Sequence, residues 1–98
     1  MQFEWDEEKR QANIEKHDVD FRDITPVFKT PHLTYLSPRG GEPRQVAIGR
    51  LRPPETRPEN WSGPLVAVVY TRRNGAYRII SARRAQDDER GAYQVLFG

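Results

Sequence analysis

The chain has 98 residues and a mass of 11.4 kDa, enough for one compact domain over residues 1–98 and too little for two. It contains no cysteine, which excludes a disulfide framework and the usual zinc-ribbon sites. Its longest wholly apolar run, Leu65–Tyr70, is far shorter than the ~20 residues that cross a bilayer, and residues 1–15 lack the apolar core of a signal peptide. We therefore expect a cytoplasmic protein with no membrane contact.

The net charge of +2 conceals an uneven distribution along the chain. Residues 1–31 hold five basic and eight acidic side chains, residues 32–84 hold ten arginines and three glutamates, and residues 85–98 hold one arginine and three acids. Arginine grips phosphate through two hydrogen bonds and stacks on bases, which lysine cannot do. The central block therefore predicts a nucleic-acid surface with its arginines gathered along one wall, although solvated sheet edges also carry arginine.

The N-terminal third of the chain predicts a short strand followed by two helices. Phe3 and Trp5 alternate with polar residues, as expected of an edge strand. The run Asp6–His17 is typical of a helix whose first residue caps it. Apolar residues with helical spacing follow Asp20, and Pro26 is expected to shorten or kink that second helix.

The rest of the chain predicts four strands and a final helix. His32–Leu36 and Arg44–Leu51 have the composition of strands. Leu65–Arg84 is typical of a hairpin with a buried first arm, because Asn74-Gly75 suits the positive φ angles of a tight turn. A helix is expected from Asp87 onward.

A proline-rich segment, Pro53–Pro64, interrupts this series and predicts an irregular loop. The predicted element order is then β-α-α-β-β-β-β-α. Helices at both ends of such a series indicate an α+β domain, with the N-terminal helices packed on an antiparallel sheet and a C-terminal helix closing the chain.

The residue types disfavour metal chemistry and leave metal-free RNA cleavage open. The central block has few acids, and the two histidines lack a ligand-pair spacing, so we expect neither a metal nor an organic cofactor. In metal-free cleavage the RNA 2′-hydroxyl attacks the adjacent phosphate, and the protein supplies a base, an acid and fixed cations. The available acids and bases are Lys9, His17, Glu42, Glu89 and Tyr93.

Three groups of motifs follow one another along residues 3–93. They are Phe3-Glu4-Trp5-Asp6 with Lys16-His17, then Gly41-Glu42-x-Arg44, then Arg78-Ile79-Ile80-Ser81-Ala82-Arg83 with Glu89-Arg90. In this order they resemble the BrnT family of type II toxins. The resemblance implies a RelE-like α+β fold and a ribonuclease that halts translation. It also implies neutralisation by a BrnA antitoxin. The toxin–antitoxin complex would contact operator DNA only through the antitoxin.

Four residues are candidates for catalysis: His17, Arg44, Arg83 and Glu89. His17 would act as an acid or base, or instead cap its helix. Arg44 is favoured because it belongs to the motifs that carry the resemblance. Arg83 would clamp the phosphate, or instead form a structural ion pair with Glu89.

Five further residues are expected to contact RNA: Lys9, Arg72, Arg78, Arg84 and Tyr93. Tyr93 has a second interpretation as a core residue. Strand alternation puts Arg83 on one sheet face and Arg78 and Arg84 on the other, so a single cleft holds both sets only if a bulge or strand end re-aims one of them.

Two other functions fit the same cationic block. One is a non-catalytic RNA-binding module, and the other is a subunit whose basic surface only binds an acidic antitoxin segment. Asp18 stands where the family usually has glycine, and aspartate tolerates the left-handed backbone region better than most residues.

Overall fold

The computed structural model describes residues 2–37, 43–51 and 64–97. The strands are β1 (Gln2–Glu4), β2 (Leu33–Ser37), β3 (Arg44–Arg50), β4 (Leu65–Arg73) and β5 (Ala76–Arg84). The helices are α1 (Glu7–His17), α2 (Thr25–Lys29) and α3 (Asp87–Phe97), and a single 3-10 turn (Phe21–Asp23) precedes α2. The predicted element order is confirmed, whereas the predicted loop Pro53–Pro64 lies outside the described residues except for its last residue.

The five strands form one sheet in the order β1-β5-β4-β3-β2. The α+β prediction is confirmed, and β4 is the buried central strand that its valine-rich sequence predicted. The sheet is mixed rather than wholly antiparallel, because β1 pairs parallel to β5. No hairpin joins these two strands, so no short turn forces them to run in opposite directions.

The helix ends follow the local sequence signals. The Asp6 side chain caps α1 by accepting the backbone N–H of Glu8 at 2.9 Å. Asp18 ends α1 in the left-handed region, with φ of 58°, and its N–H donates to the Ile14 carbonyl. Pro26 lies in the first turn of α2, where its missing N–H costs nothing, so the second helical pattern divides into the 3-10 turn and a five-residue helix.

Both faces of the sheet are packed, but unequally. On one face, apolar side chains of β4 pack against those of α2 and of the 3-10 turn that precedes it. This cluster includes Phe21, Ile24, Val27, Phe28, Val66 and Val68. The other face is packed by α3 over a smaller cluster: Val46, Ile48, Leu65, Ala67, Ala85 and Tyr93. The remainder of this second face stays open, and a groove forms there.

A β-bulge shifts the pairing of the long hairpin. Val69 lies opposite Ser81. The next residue of β4, Tyr70, lies opposite Ile79, so β5 carries one extra residue at this point. The side chains of β5 therefore alternate out of phase on the two sides of the bulge, so Arg78 and Arg83 face the same side of the sheet.

Asn13 completes the edge of β5 where β1 ends. The strand β1 pairs only with residues 76–78, so the later part of β5 has no neighbouring strand on that side. There the Asn13 amide donates to the Ala82 carbonyl at 2.7 Å and accepts the Ala82 N–H at 3.2 Å. It also donates to the Val19 carbonyl at 2.9 Å. This buried amide replaces a strand and attaches α1 to the sheet.

We predict that Asn13→Ala destabilises the protein by about 1–3 kcal/mol, because it leaves buried backbone groups of Ala82 without partners. The matched control is Gln11→Ala, an exposed substitution two residues earlier on α1 that should change stability by less than about 0.5 kcal/mol. Urea unfolding of the three proteins measures both differences. Equal stabilities for the two variants would contradict the structural role of Asn13.

Candidate active site

The open part of the α3-packed face is a groove of about 380 Å³. Its lining residues are Tyr35, Ser37, Arg44, Val46, Val69, Ile80, Ser81, Arg83 and Gln86. Four of them form a single row across four strands, because Tyr35 pairs with Val46, Val46 with Val69, and Val69 with Ser81. The floor of the groove is therefore fixed by the backbone ladder rather than by loops.

Arg83 and Glu89 form an ion pair at one side of the groove. The two guanidinium nitrogens of Arg83 contact the two Glu89 oxygens at 2.7 and 3.1 Å, which is the planar two-bond arrangement that arginine favours. Glu89 lies in the first turn of α3, and only 5% of its side chain is exposed. The ion pair that the sequence offered as an alternative for Arg83 is thus present. Arg83 also lines the groove, and 25% of its side chain is exposed.

Two more donors fix the Glu89 carboxylate. The backbone N–H of Gln86 donates to Glu89 Oε1 at 2.7 Å, and the Tyr35 hydroxyl donates to Oε2. Burial alone would raise the pKa of Glu89, but the bonds from Arg83, Gln86 and Tyr35 outweigh it and lower the pKa to about 2. At neutral pH this carboxylate is ionised and holds no proton to donate.

Arg44 begins β3 at the other side of the groove, opposite Ser37. Its Nε atom is buried and has no hydrogen-bond partner. No carboxylate among residues 2–37, 43–51 and 64–97 forms an ion pair with it. A buried donor without a partner is costly. Arg44 also lines the groove, so an anion that enters there meets this guanidinium without competition from a carboxylate of the described residues.

The bulge brings Arg78 to the same sheet face as Arg83, contrary to simple alternation. Arg78 lies near the hairpin turn and pairs with Glu4 of the edge strand at 3.5 Å. It therefore shares the face without lining the groove. The condition that the sequence set, a bulge that re-aims one set of arginines, is met for Arg78 but not for Arg84.

The prediction of a single arginine wall is wrong. Arg84 pairs with Val66, and so lies on the face beneath α2. Arg72 pairs with Tyr77 on that face, and its guanidinium lies 4.3 Å from the Tyr77 ring centroid. Neighbouring residues of a strand point to opposite faces, so a run of arginines along the chain is divided in space.

Three other predicted site residues are also absent from the groove. Lys9 and His17 belong to α1, which packs against β5 at the sheet edge, and neither lines the groove. Tyr93 is buried between α3 and the sheet, with the Arg50 guanidinium 5.5 Å from its ring centroid. It occupies the core position that was its second interpretation, so it offers no free ring to RNA. Glu42 lies outside the described residues.

Tyr35 is one of the groove residues that the sequence did not predict as part of the site, and it is the aromatic one. The signal was present in β2, where alternation puts Leu33, Tyr35 and Ser37 on one face. Pairing β2 with β3 by their order in the chain would have placed Tyr35 beside Arg44.

Comparison with known proteins now identifies the family. A sequence model described as "Ribonuclease toxin, BrnT, of type II toxin-antitoxin system" matches residues 5–89. The chain belongs to the BrnT family. It also matches the 1.1 Å crystal structure of the Brucella abortus ribonuclease toxin BrnT, with a TM-score of 0.64 and 30% identity over 89% of this chain and 99% of that one. No curated protein matches it. The resemblance predicted from the motifs is confirmed.

Two features, a metal-binding cluster and a membrane-spanning helix, are absent from the part of the chain that the structure describes. Within residues 2–37, 43–51 and 64–97, no group of three or more histidine, cysteine, aspartate or glutamate side chains is placed to hold a metal ion. In the same part of this BrnT-family chain, no helix is long and apolar enough to cross a membrane.

We predict that the Glu89 carboxylate stabilises the fold only where it is ionised. Its folded pKa lies below its ordinary value, so its contribution is complete above about pH 4.5 and is lost as the pH falls toward about 2. Wild type should exceed Glu89→Gln in stability by roughly 2–3 kcal/mol at pH 7. This difference should shrink by pH 3.

Urea unfolding at the two pH values measures the difference between wild type and Glu89→Gln. Glu15→Gln, which removes an exposed carboxylate from α1, is the control and should show a small difference that changes little with pH. A Glu89→Gln difference that stays constant from pH 7 to pH 3 would show that ionisation of Glu89 is irrelevant.

Proposed function

We propose that this chain is a metal-independent endoribonuclease toxin that cleaves RNA in the groove between Arg44 and Arg83. One observation carries the proposal: in a chain of a ribonuclease toxin family, two guanidinium groups line one open groove, and one of them has a buried donor without a partner. Such groups are suited to the non-bridging oxygens of a phosphodiester.

The proposed reaction is a transesterification within the RNA. The 2′-oxygen loses its proton and bonds to phosphorus, the bond from phosphorus to the 5′-oxygen breaks, and that oxygen takes up a proton. The products are a 2′,3′-cyclic phosphate and a 5′-hydroxyl. Arg44 and Arg83 stabilise the additional negative charge of the five-coordinate phosphorus.

In this scheme Glu89 acts through Arg83. Its ionised carboxylate holds the Arg83 fork in one orientation, and its low pKa excludes it as the acid that protonates the leaving oxygen. Glu89 is thus a positioning residue, and any proton transfer by it is limited to accepting the 2′-hydroxyl proton. His17, expected as an acid or base, does not line the groove and has no assigned step.

The biological consequence follows from the family. We propose that RNA cleavage in the cytoplasm halts translation and that a BrnA-type antitoxin neutralises the toxin. Operator DNA would then be contacted only through the antitoxin. The rival functions, a non-catalytic RNA-binding module and an antitoxin-binding subunit, share the groove but leave RNA length unchanged.

We predict that Arg44→Ala and Arg83→Ala each slow RNA cleavage by about 10²-fold or more, because each removes a cation from the charged phosphorus. Lys29→Ala removes one exposed positive charge from α2, outside the groove, and should cleave at nearly the wild-type rate. Cleavage of an end-labelled RNA on denaturing gels, with folding checked by circular dichroism, gives the rates. Wild-type rates in both arginine variants would reject this site.

We also predict that cleavage persists in excess chelator and leaves a 2′,3′-cyclic phosphate end. Replacing the ribose at the cleavage position with 2′-deoxyribose should abolish the reaction at that position, because the attacking hydroxyl is gone. Mass spectrometry of the fragments identifies the ends. Loss of activity in chelator, or cleavage of the deoxy substrate, would contradict a metal-free transesterification.

A further inference from the structure

The two ends of the Tyr35 side chain have different surroundings. Its hydroxyl points inward and donates to the Glu89 carboxylate. Tyr35 also lines the groove, and 40% of the residue is exposed. Since the hydroxyl proton is already bonded to a carboxylate, the surface that Tyr35 offers to a ligand is the ring.

The ring is fixed before any ligand arrives. Tyr35 is held in β2 opposite Val46 at one end and bonded to Glu89 at the other. A side chain that is already ordered loses little conformational entropy on binding. Among the described residues that line the groove, Tyr35 is the one aromatic.

The ring also lies close to the proposed phosphate position. Ser37 pairs with Arg44, and Tyr35 pairs with the residue two positions further along β3. Residues that are diagonal neighbours on one face of an antiparallel pair are about 7–8 Å apart, and their Cβ atoms are somewhat closer. A phosphate held by Arg44 therefore leaves an adjacent nucleobase within reach of the ring. Unpaired RNA bases commonly stack on exposed tyrosine rings.

We propose that Tyr35 is the stacking platform for an unpaired nucleobase next to the scissile phosphate. The groove then has two subsites, one for phosphate and one for a base, and its ligand class is single-stranded RNA. This inference rests on the proposed function, because the phosphate at Arg44 and Arg83 determines where the base lies.

Binding of an uncleavable RNA tests the base subsite independently of catalysis. The probe is a short, mixed-sequence oligoribonucleotide with 2′-O-methyl groups and a fluorescent label, measured by anisotropy. Tyr35→Leu should weaken binding roughly 5- to 100-fold, the range for loss of one stacked base. Tyr35→Phe keeps the ring and should bind within about threefold of wild type. Phe97→Leu, which alters a similarly exposed aromatic (42%) outside the groove, is the matched control and should bind as wild type.

A second probe of the same length, with a ribose-phosphate backbone and no bases, removes stacking without changing the protein. Wild type and Tyr35→Leu should bind this abasic chain equally. Equal binding of the base-bearing RNA by wild type and Tyr35→Leu would overturn the proposal. So would an equal loss by Tyr35→Leu with both probes, because Tyr35 would then act through the backbone.

These results separate the base subsite from the cleavage reaction. If Arg44→Ala abolishes cleavage while Tyr35→Leu binds normally, the stacking platform is wrong and the active site stands. The opposite result is that wild type cleaves no RNA, yet binds the base-bearing probe more tightly than Tyr35→Leu does and binds the abasic probe no more tightly. The stacking platform is then supported and the ribonuclease proposal fails.

Discussion

The buried carboxylate of Glu89 is the interaction on which the candidate site depends. It accepts hydrogen bonds from Arg83 of β5, from the backbone of Gln86 before α3, and from Tyr35 of β2. Three separate parts of the chain thus meet at one group. Through these bonds Glu89 attaches α3 to the sheet. It also holds the side chains of Arg83 and Tyr35, which both line the groove.

Such a buried pair is not retained for stability alone. Removing two charges from water costs several kcal/mol per ion, and an apolar pair of similar volume is often about as stable. The Arg83–Glu89 pair places a partly exposed arginine at the edge of an open groove, which an apolar pair cannot do. Orientation of a cation toward a ligand is therefore the physical reason we assign to it.

Local signals in the sequence were sufficient to predict the elements. The Asn74-Gly75 turn has φ angles of 50° and 81°, as its residue types require. The helix cap at Asp6 also follows from residue type and neighbours alone. These features depend on contacts within a few residues, so the local sequence is enough to predict them.

The site was less predictable because it depends on pairing between distant segments. Arg44 and Arg83 were among the predicted residues, but the bulge that puts Arg78 on the same face as Arg83 arises where β4 and β5 change register, and residue type does not reveal it. Tyr35 joins the site only through the β2–β3 pairing. Asn13 is a polar residue of a helix, yet it is buried against the part of β5 that β1 does not reach.

The number of arginines in a segment of this chain therefore does not give the positive charge on any one surface of the protein. Adjacent arginines such as Arg83 and Arg84 point to opposite faces of one strand, so each such pair contributes at most one cation to a given surface. Ion pairs reduce the available charge further, as Glu4 does for Arg78. What distinguishes Arg44 is a buried nitrogen without a partner, opposite an oriented guanidinium group. A phosphate recognised here would be selected by two directed groups, and the overall basicity of the central segment would serve mainly to attract RNA from a distance.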